Sequence, residues 1–199
     1  MCGIIAAASY RNVGELLVEG LHKMEYRGYD SAGLALHQEK NIAHLRALGK
    51  VSLLEEKLKL ANPSSTLGIA HTRWATHGEP SEKNAHPHSS KNNIYVVHNG
   101  IIENHITLKE TLKKEGFKFS SQTDTEVISH SIQFYMEKGK DLDSAVISTI
   151  AKLKGAYALG ILDKNNPDTL IGVRQQSPLV IGEGFEEQFI ASDIMALSN

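Results

Sequence analysis

Cysteine is almost absent from the sequence, because Cys2 is the only one among 199 residues. A single cysteine cannot form an intramolecular disulfide, so packing and hydrogen bonds must stabilise the fold without covalent cross-links. Free cysteine is typical of reducing compartments, and we therefore expect a cytoplasmic protein.

Long hydrophobic runs and an excess of one charge are also missing. No stretch approaches the roughly 18 consecutive apolar residues that span a membrane, and the N-terminus has no basic segment followed by an apolar one. Lys and Arg number 21 against 23 Asp and Glu, which gives a net charge of −2. This balance provides no electrostatic reason to expect nucleic acid or an anionic membrane as a partner.

The chain does have a core-forming composition, with 41% hydrophobic residues. Its length predicts one domain over residues 1–199. The sequence stops soon after a strand-like segment without a terminating element, so we expect a fragment of a longer chain.

Hydrophobic periodicity predicts helices and strands in an irregular order. Helices are predicted from the cap residue Asn12 to before position 27, and over 51–61, 103–115, 123–135 and 141–154. Strands are predicted over 3–8, 32–37, 42–47, 67–72, 94–98, 156–162, 169–173, 179–181 and 189–191. Hairpins outnumber strict strand–helix–strand alternation, which favours a layered α+β domain. Residues 73–93 have no sustained period and predict a long loop of functional interest.

Two helix starts resemble capping boxes. Asn12 is followed three residues later by Glu15, and Thr123 is followed by Glu126. In such a box the first side chain accepts a hydrogen bond from the helix and the Glu bonds back to the cap residue. Asp124 would then lie in the first turn of its helix, where the helix dipole favours a carboxylate.

Cys2 is the first candidate for chemistry. If Met1 is removed, the residue carries both a thiol and a free α-amine, whose ordinary pKa of about 7.7–8.0 suits a general base. A nucleophile activated by its own terminal amine is an established catalytic arrangement. The alternative is that Cys2 is a small hydrophobic residue of the core.

Asn99 and Gly100 follow a predicted strand and could stabilise an oxyanion. The Asn side chain offers amide donors, and Gly100 offers its backbone N–H. Asn-Gly after a strand is also the common sequence of a type I′ hairpin turn, so a purely structural role is the alternative.

Arg73 and Asp124 together offer what an amino-acid substrate requires. A guanidinium can bind the α-carboxylate in bidentate fashion, and a carboxylate can bind the α-ammonium. Taken singly, Arg73 could be a surface charge and Asp124 a helix-dipole residue.

Five histidines lie between positions 71 and 98, including the pair His86 and His88. An H-x-H pair is a weak metal signal by itself. We expect no metal and no cofactor, and we expect most of these histidines to be hydrogen-bonded loop or core residues.

Several segments resemble one family. They are Cys2-Gly3-Ile4, YRGYDSAG from Tyr26, HTRWATHGEPSEKNAHPH from His71, VVHNGIIEN from Val96, TDTEVI from Thr123, GAYA from Gly155 and SPLVIG from Ser177. Together they resemble the glutaminase domains of glutamine–fructose-6-phosphate aminotransferases, which are N-terminal-nucleophile glutamine amidotransferases. The HTRWATHG and HNGIIEN segments are specific for such amidotransferases, and YRGYDSAG is typical of the sugar-phosphate branch.

The resemblance implies a four-layer αββα sandwich, in which two stacked antiparallel sheets lie between helical layers. It implies that Cys2 is the nucleophile, that Asn99 and Gly100 form the oxyanion hole, and that Arg73 and Asp124 hold the two charged ends of L-glutamine. Thr76 and His77 match substrate-holding positions, and Trp74 matches a gating residue that seals the site. His86 matches, weakly, a segment that faces a partner domain.

The implied reaction is hydrolysis of glutamine to glutamate and ammonia. The ammonia would normally pass to a sugar-isomerising domain that acts on fructose 6-phosphate and is absent from this sequence. Two alternatives stay open: a glutaminase domain of another amidotransferase, of the amidophosphoribosyltransferase or asparagine synthetase type, and a non-catalytic binding domain with a buried Cys2 and a metal at His86 and His88.

Overall fold

The computed structural model describes residues 2–198, so the question of whether Met1 is removed lies outside the described residues. The described strands are β1 (Gly3–Ser9), β2 (Ser31–Gln38), β3 (Asn41–Leu48), β4 (Leu67–Arg73), β5 (His88–Ser90), β6 (Ile94–Gly100), β7 (Tyr157–Asp163), β8 (Leu170–Gln175), β9 (Val180–Gly184) and β10 (Glu187–Ala191). The α-helices are α1 (Val13–Lys23), α2 (Val51–Ala61), α3 (His105–Lys114), α4 (Glu126–Glu137) and α5 (Leu142–Ile150). Short 3₁₀ turns cover Glu25–Arg27 and Ile194–Leu197.

The strands form two antiparallel sheets. One sheet has the order β3-β2-β4-β1-β10-β9, and the other has the order β5-β6-β7-β8. Helices α1 and α2 pack on the outer face of the six-stranded sheet, while α3, α4 and α5 cover the four-stranded sheet. A third apolar core fills the space between the two sheets. The four-layer α+β sandwich expected from the sequence is therefore confirmed.

The strands at the centre of the sandwich are buried on both faces. Every residue of β4 and of β7 is buried, which is what their continuous apolar sequences predict. The inter-sheet core consists mainly of aliphatic side chains such as Ile4, Ile69 and Val97, which are completely inaccessible. The two sheets are thus fixed relative to each other by close apolar packing.

Helix caps follow the sequence in one case and depart from it in another. The Asn12 side chain accepts a hydrogen bond from the Gly14 amide and caps α1, as expected, but the described residues show no bond from the Asn12 amide to Glu15 that would complete the box. The capping box predicted at Thr123 is wrong, because α4 begins only at Glu126. The Glu126 carboxylate instead accepts hydrogen bonds from the backbone amides of Ser120 (2.8 Å) and Ser121 (2.7 Å). Asp124 therefore precedes the helix rather than lying in its first turn.

The long loop predicted over residues 73–93 contains the short edge strand β5. Its sequence, His88-Ser89-Ser90, has no apolar alternation, so periodicity did not reveal it. It pairs with β6, and His88 lies opposite Val96. Within residues 2–198, no helix is both long enough and apolar enough to cross a bilayer.

We predict that Ile69→Ala will lower the free energy of unfolding by about 2–5 kcal/mol, because it opens a cavity between the two sheets. Ile147→Ala is the matched control, since Ile147 is 63% exposed on α5; it should change stability by about 0.5 kcal/mol or less. Urea denaturation of both variants checks this. Equal losses would show that Ile69 does not contribute to a packed inter-sheet core.

Candidate active site

Cys2 lies immediately before β1, beside the end of β4. The register of these strands places Gly3 opposite Thr72, so the next residue on each strand brings Cys2 close to Arg73. The thiol sulfur accepts a hydrogen bond from the Trp74 amide at 3.3 Å and lies 3.6 Å from the Trp74 carbonyl oxygen. Burial raises the pKa of the Cys2 thiol. The resting thiol is therefore protonated at neutral pH, and a nucleophilic role requires a nearby base.

Asn99 and Gly100 are not a hairpin turn. Both belong to β6 and pair with β7, where Asn99 lies opposite Ala158 and Gly100 opposite Tyr157. Gly100 has φ +126°, and a Cβ atom there would lie 2.1 Å from the Ala156 carbonyl oxygen. The requirement for glycine at position 100 thus comes from the left-handed backbone and the contact with β7, and the type I′ alternative is wrong.

The Asn99 side chain connects the two sheets next to Cys2. Its Nδ2 donates a hydrogen bond to the Cys2 carbonyl oxygen at 3.1 Å. Its Oδ1 lies 3.0 Å from His71 Nε2 on β4. A primary amide has two N–H donors, so the bond to Cys2 leaves a second donor on the same nitrogen.

Arg73 ends β4 and is 3% exposed, so the surface-charge alternative is wrong. Its Nη2 donates to the carbonyl oxygens of His77 (2.6 Å) and Gly78 (3.1 Å), and Nη1 lies 3.6 Å from Asp30 Oδ1. The guanidinium therefore anchors the loop that follows β4, in addition to any role it has in binding substrate.

The loop after Arg73 carries the other predicted contacts. Trp74 is 53% exposed, and its ring packs on Gly28, where an added Cβ would lie 2.7 Å from a ring carbon. Thr76 is exposed on the same loop, and His77 is half-buried with its ring 5.0 Å from that of His105. Trp74 is thus the loop residue in direct contact with the Cys2 thiol.

Asp124 is almost completely buried, at 4% exposure. Its Oδ2 accepts a hydrogen bond from the Ile102 amide at 2.8 Å. The hydroxyls of its two neighbours are held as well: Thr123 Oγ1 lies 3.0 Å from His88 Nε2, and Thr125 Oγ1 lies 2.9 Å from His98 Nδ1. A buried carboxylate is therefore bound to the backbone that follows β6, near the strand end that carries Asn99 and Gly100.

The histidines of this region form a buried cluster, as expected for hydrogen-bonded core residues. The rings of His71 and His86 are stacked with centroids 4.1 Å apart, and His86 Nε2 lies 3.2 Å from Thr125 Oγ1. Burial lowers the pKa of His71 and of His88 to about 3, and it also lowers the pKa values of His86 and His98. These imidazoles are neutral at physiological pH.

The metal alternative invoked His86 and His88. His86 Nδ1 accepts a hydrogen bond from the His98 amide, and the Nε2 atoms of His86 and His88 lie against threonine hydroxyls. Ring nitrogens engaged in this way do not converge on an ion. In the part of the chain that the structure describes, no group of three or more His, Cys, Asp or Glu is arranged to hold a metal.

Two residues near the site were not identified as functional candidates from the sequence. Asp30, which the sequence marks only as part of the YRGYDSAG segment, accepts a hydrogen bond from the Ala75 amide through Oδ2 at 2.5 Å. It therefore holds the loop that contacts Cys2. His71 was grouped with the other histidines, yet it alone bonds to the Asn99 side chain. Both contacts join residues distant in sequence, and no local pattern encodes them.

A family model described as a glutamine amidotransferase domain matches residues 71–199. Glutamine–fructose-6-phosphate aminotransferases (isomerizing) from Acinetobacter baylyi and Escherichia coli K12 are each 54% identical to the chain and align with 99% of it. The chain spans only 32% of the length of these relatives.

Solved structures give the same picture of the fold. Glutamine phosphoribosylpyrophosphate amidotransferase from B. subtilis, in complex with ADP and GMP, aligns with 98% of the chain and 43% of its own length, with a TM-score of 0.84 and 25% identity. A class-II glutamine aminotransferase domain protein from Silicibacter pomeroyi aligns with 96% of the chain and 88% of its own length, with a TM-score of 0.64 and 15% identity.

The buried imidazoles predict acid destabilisation. The histidines whose pKa is lowered by burial are His44, His71, His86, His88 and His98. They bind protons below about pH 6.5 in the unfolded chain but not in the folded one, so stability is complete above that pH and falls as pH decreases towards 5. The pKa of His22, beside Glu25 and Glu55, is raised, and its contribution has the opposite sign.

Urea denaturation between pH 5 and 8 measures this effect. His86→Gln removes one such group. The slope of the free energy of unfolding against pH should therefore fall by up to about 1.4 kcal/mol per pH unit. His22→Gln is the control, because losing its acid-side stabilisation should make the slope steeper. An unchanged slope for His86→Gln would contradict a buried neutral His86.

Proposed function

This chain belongs to the family of glutamine amidotransferase domains, and from that premise we propose that it hydrolyses the side-chain amide of L-glutamine to glutamate and ammonia, with Cys2 as the nucleophile. The observation that carries the proposal is the hydrogen bond from Asn99 Nδ2 to the Cys2 carbonyl. It joins the residue that carries the only thiol, just before β1 of one sheet, to a candidate oxyanion donor in β6 of the other sheet.

The proposed reaction begins with transfer of the thiol proton to the α-amine that Cys2 carries once Met1 is removed. The thiolate attacks the glutamine carboxamide carbon, and the tetrahedral oxyanion accepts hydrogen bonds from Asn99 Nδ2 and the Gly100 amide. The protonated amine returns its proton to the departing ammonia, which leaves a thioester on Cys2. Water then cleaves the thioester to release glutamate and restore the thiol.

Substrate binding is assigned to the charged groups around the thiol. Asp124, buried and anchored by Ile102, is assigned to the α-ammonium group of glutamine, because a desolvated carboxylate attracts a cation strongly. Arg73 binds the α-carboxylate with N–H groups beyond those that hold the loop. Thr76 and His77, on that loop, are assigned to the substrate pocket, and Trp74, whose backbone contacts the thiol, is assigned the role of gate.

We further propose that residues 1–199 form one glutaminase domain within a longer cytoplasmic enzyme. The ammonia would then pass to a sugar-isomerising domain that acts on fructose 6-phosphate. The 54% identity to glutamine–fructose-6-phosphate aminotransferases supports this acceptor. The phosphoribosylpyrophosphate amidotransferase has a similar fold at 25% identity, which favours that acceptor less.

Glutamate release from glutamine tests the proposed reaction. A chain with Cys2 at its free N-terminus should release glutamate, whereas Cys2→Ala should be inactive with an unchanged melting temperature. An electrophilic glutamine analogue should add one label per chain, at Cys2. Near-normal activity of Cys2→Ala, or labelling at another residue, would exclude Cys2 as the nucleophile.

Asp124→Asn tests substrate binding without removing the contact that holds residue 124. The asparagine keeps an oxygen that can accept the Ile102 N–H, but it loses the charge. We expect kcat/KM for glutamine to fall by the equivalent of about 2–5 kcal/mol, mainly through KM. For 4-carbamoylbutanoate, which is glutamine without its α-amino group, the loss should be much smaller.

Asp143→Asn, an exposed change on α5, is the control and should leave KM unaltered. Equal effects of Asp124→Asn on the two substrates would refute recognition of the ammonium group by Asp124.

A further inference from the structure

His71 lies in β4 and is completely buried. Its Nε2 reaches across to the second sheet, where it lies 2.9 Å from the His98 carbonyl oxygen and 3.0 Å from Asn99 Oδ1. Through this contact, a residue of the six-stranded sheet holds the side chain that donates to Cys2. The sequence predicts no catalytic or substrate-binding role for His71, and the proposed reaction assigns it none.

The bonding pattern determines which way the Asn99 amide faces. The His98 carbonyl can only accept, so His71 Nε2 must carry the proton. That N–H also faces the Asn99 amide, and the amide must therefore present its oxygen to His71. The opposite orientation would place Asn99 Nδ2 against an N–H donor and its oxygen against the Cys2 carbonyl. Only the observed orientation aims Nδ2 at Cys2.

The His71 ring is itself held in place. It stacks on the His86 ring at 4.1 Å between centroids with an interplanar angle of 17°. Among the described residues, its Nδ1 has no hydrogen-bond partner. Because burial keeps the pKa of His71 at about 3, the ring remains neutral, with one N–H, at physiological pH. A single N–H at Nε2 is thus the functional feature of this side chain.

We infer that His71 is a positioning residue for the amidase reaction. It fixes the Asn99 amide so that Nδ2 faces the point beside Cys2 where the glutamine carboxamide oxygen becomes an oxyanion. The inference rests on the proposed function of the site. It assigns His71 no proton transfer and no contact with glutamine.

Two amide replacements separate this role from a general need for a polar residue in β4. In His71→Gln the side-chain amide nitrogen can occupy the place of Nε2, whereas in His71→Asn it lies near the place of Nδ1. We expect His71→Gln to retain kcat within a few-fold of wild type, with an unchanged pH profile. His71→Asn should lower kcat by about 10- to 100-fold with KM for glutamine nearly constant, because the donor is displaced.

A double-mutant cycle tests whether His71 acts through Asn99. Asn99→Ala alone should lower kcat by about 10²–10³. In that background, His71→Asn should have little further effect on kcat, since the group it positions is already gone. Full additivity, an intact kcat in His71→Asn, or equal damage in His71→Gln and His71→Asn would each overturn the inference.

Crystal structures of the two variants give a reading that does not depend on activity. Asn99 Nδ2 should stay within hydrogen-bond distance of the Cys2 carbonyl oxygen in His71→Gln and leave it in His71→Asn. An unmoved amide in His71→Asn would overturn the positioning role even if the chain hydrolyses glutamine. A wild-type chain that releases no glutamate would instead refute the proposed function, while the amide positions would still decide the role of His71.

Discussion

The stacking of the two sheets is the constraint on which the candidate site depends. Arg73 belongs to the six-stranded sheet and Cys2 immediately precedes β1 of that sheet, whereas Asn99 and Gly100 belong to the four-stranded one. These residues meet only because aliphatic side chains such as Ile4, Ile69 and Val97 hold the sheets face to face. At the end of this core, apolar packing gives way to hydrogen bonds between the sheets. Most buried polar groups there have partners, since an unsatisfied one costs about 1–3 kcal/mol; His71 Nδ1 and His98 Nε2 are exceptions among the described residues.

Those partners are supplied by neutral imidazoles and by the buried carboxylate of Glu126. His86, His88 and His98 bond to the two threonines that flank Asp124. Glu126 anchors the preceding segment through the amides of Ser120 and Ser121. The residues on both sides of Asp124 are thereby fixed, and its own carboxylate accepts a hydrogen bond only from the Ile102 amide among the described residues. The histidine-rich sequence that could have indicated a metal site instead provides uncharged donors and acceptors inside a protein core, where a charged group would be far more costly.

The sequence predicted most of the fold because its helices and strands are local patterns. The hairpin of β2 and β3, helix α2 with its stop at Asn62, and the buried strands β4 and β7 all follow from periodicity and turn residues. Polar β5 has no such signal, and Glu126 bonds to residues before its helix instead of forming a capping box. For the site, residue types indicated Cys2, Asn99 and Asp124. The contacts of Asp30 and His71 join distant segments, so only the folded chain reveals them.

Burial at this site has two opposed effects on the proposed nucleophile. Excluding water strengthens every hydrogen bond to a developing oxyanion, but it also raises the pKa of the Cys2 thiol and disfavours the thiolate. A permanently ionised thiolate is thus not the reactant that this environment selects. The proton therefore passes to the α-amine only when glutamine is bound, and the short-lived thiolate transfers its negative charge to the substrate oxygen as it attacks. Stabilising that charge requires N–H donors that already point at the substrate oxygen. The Asn99 amide, held between Cys2 and His71, meets this requirement.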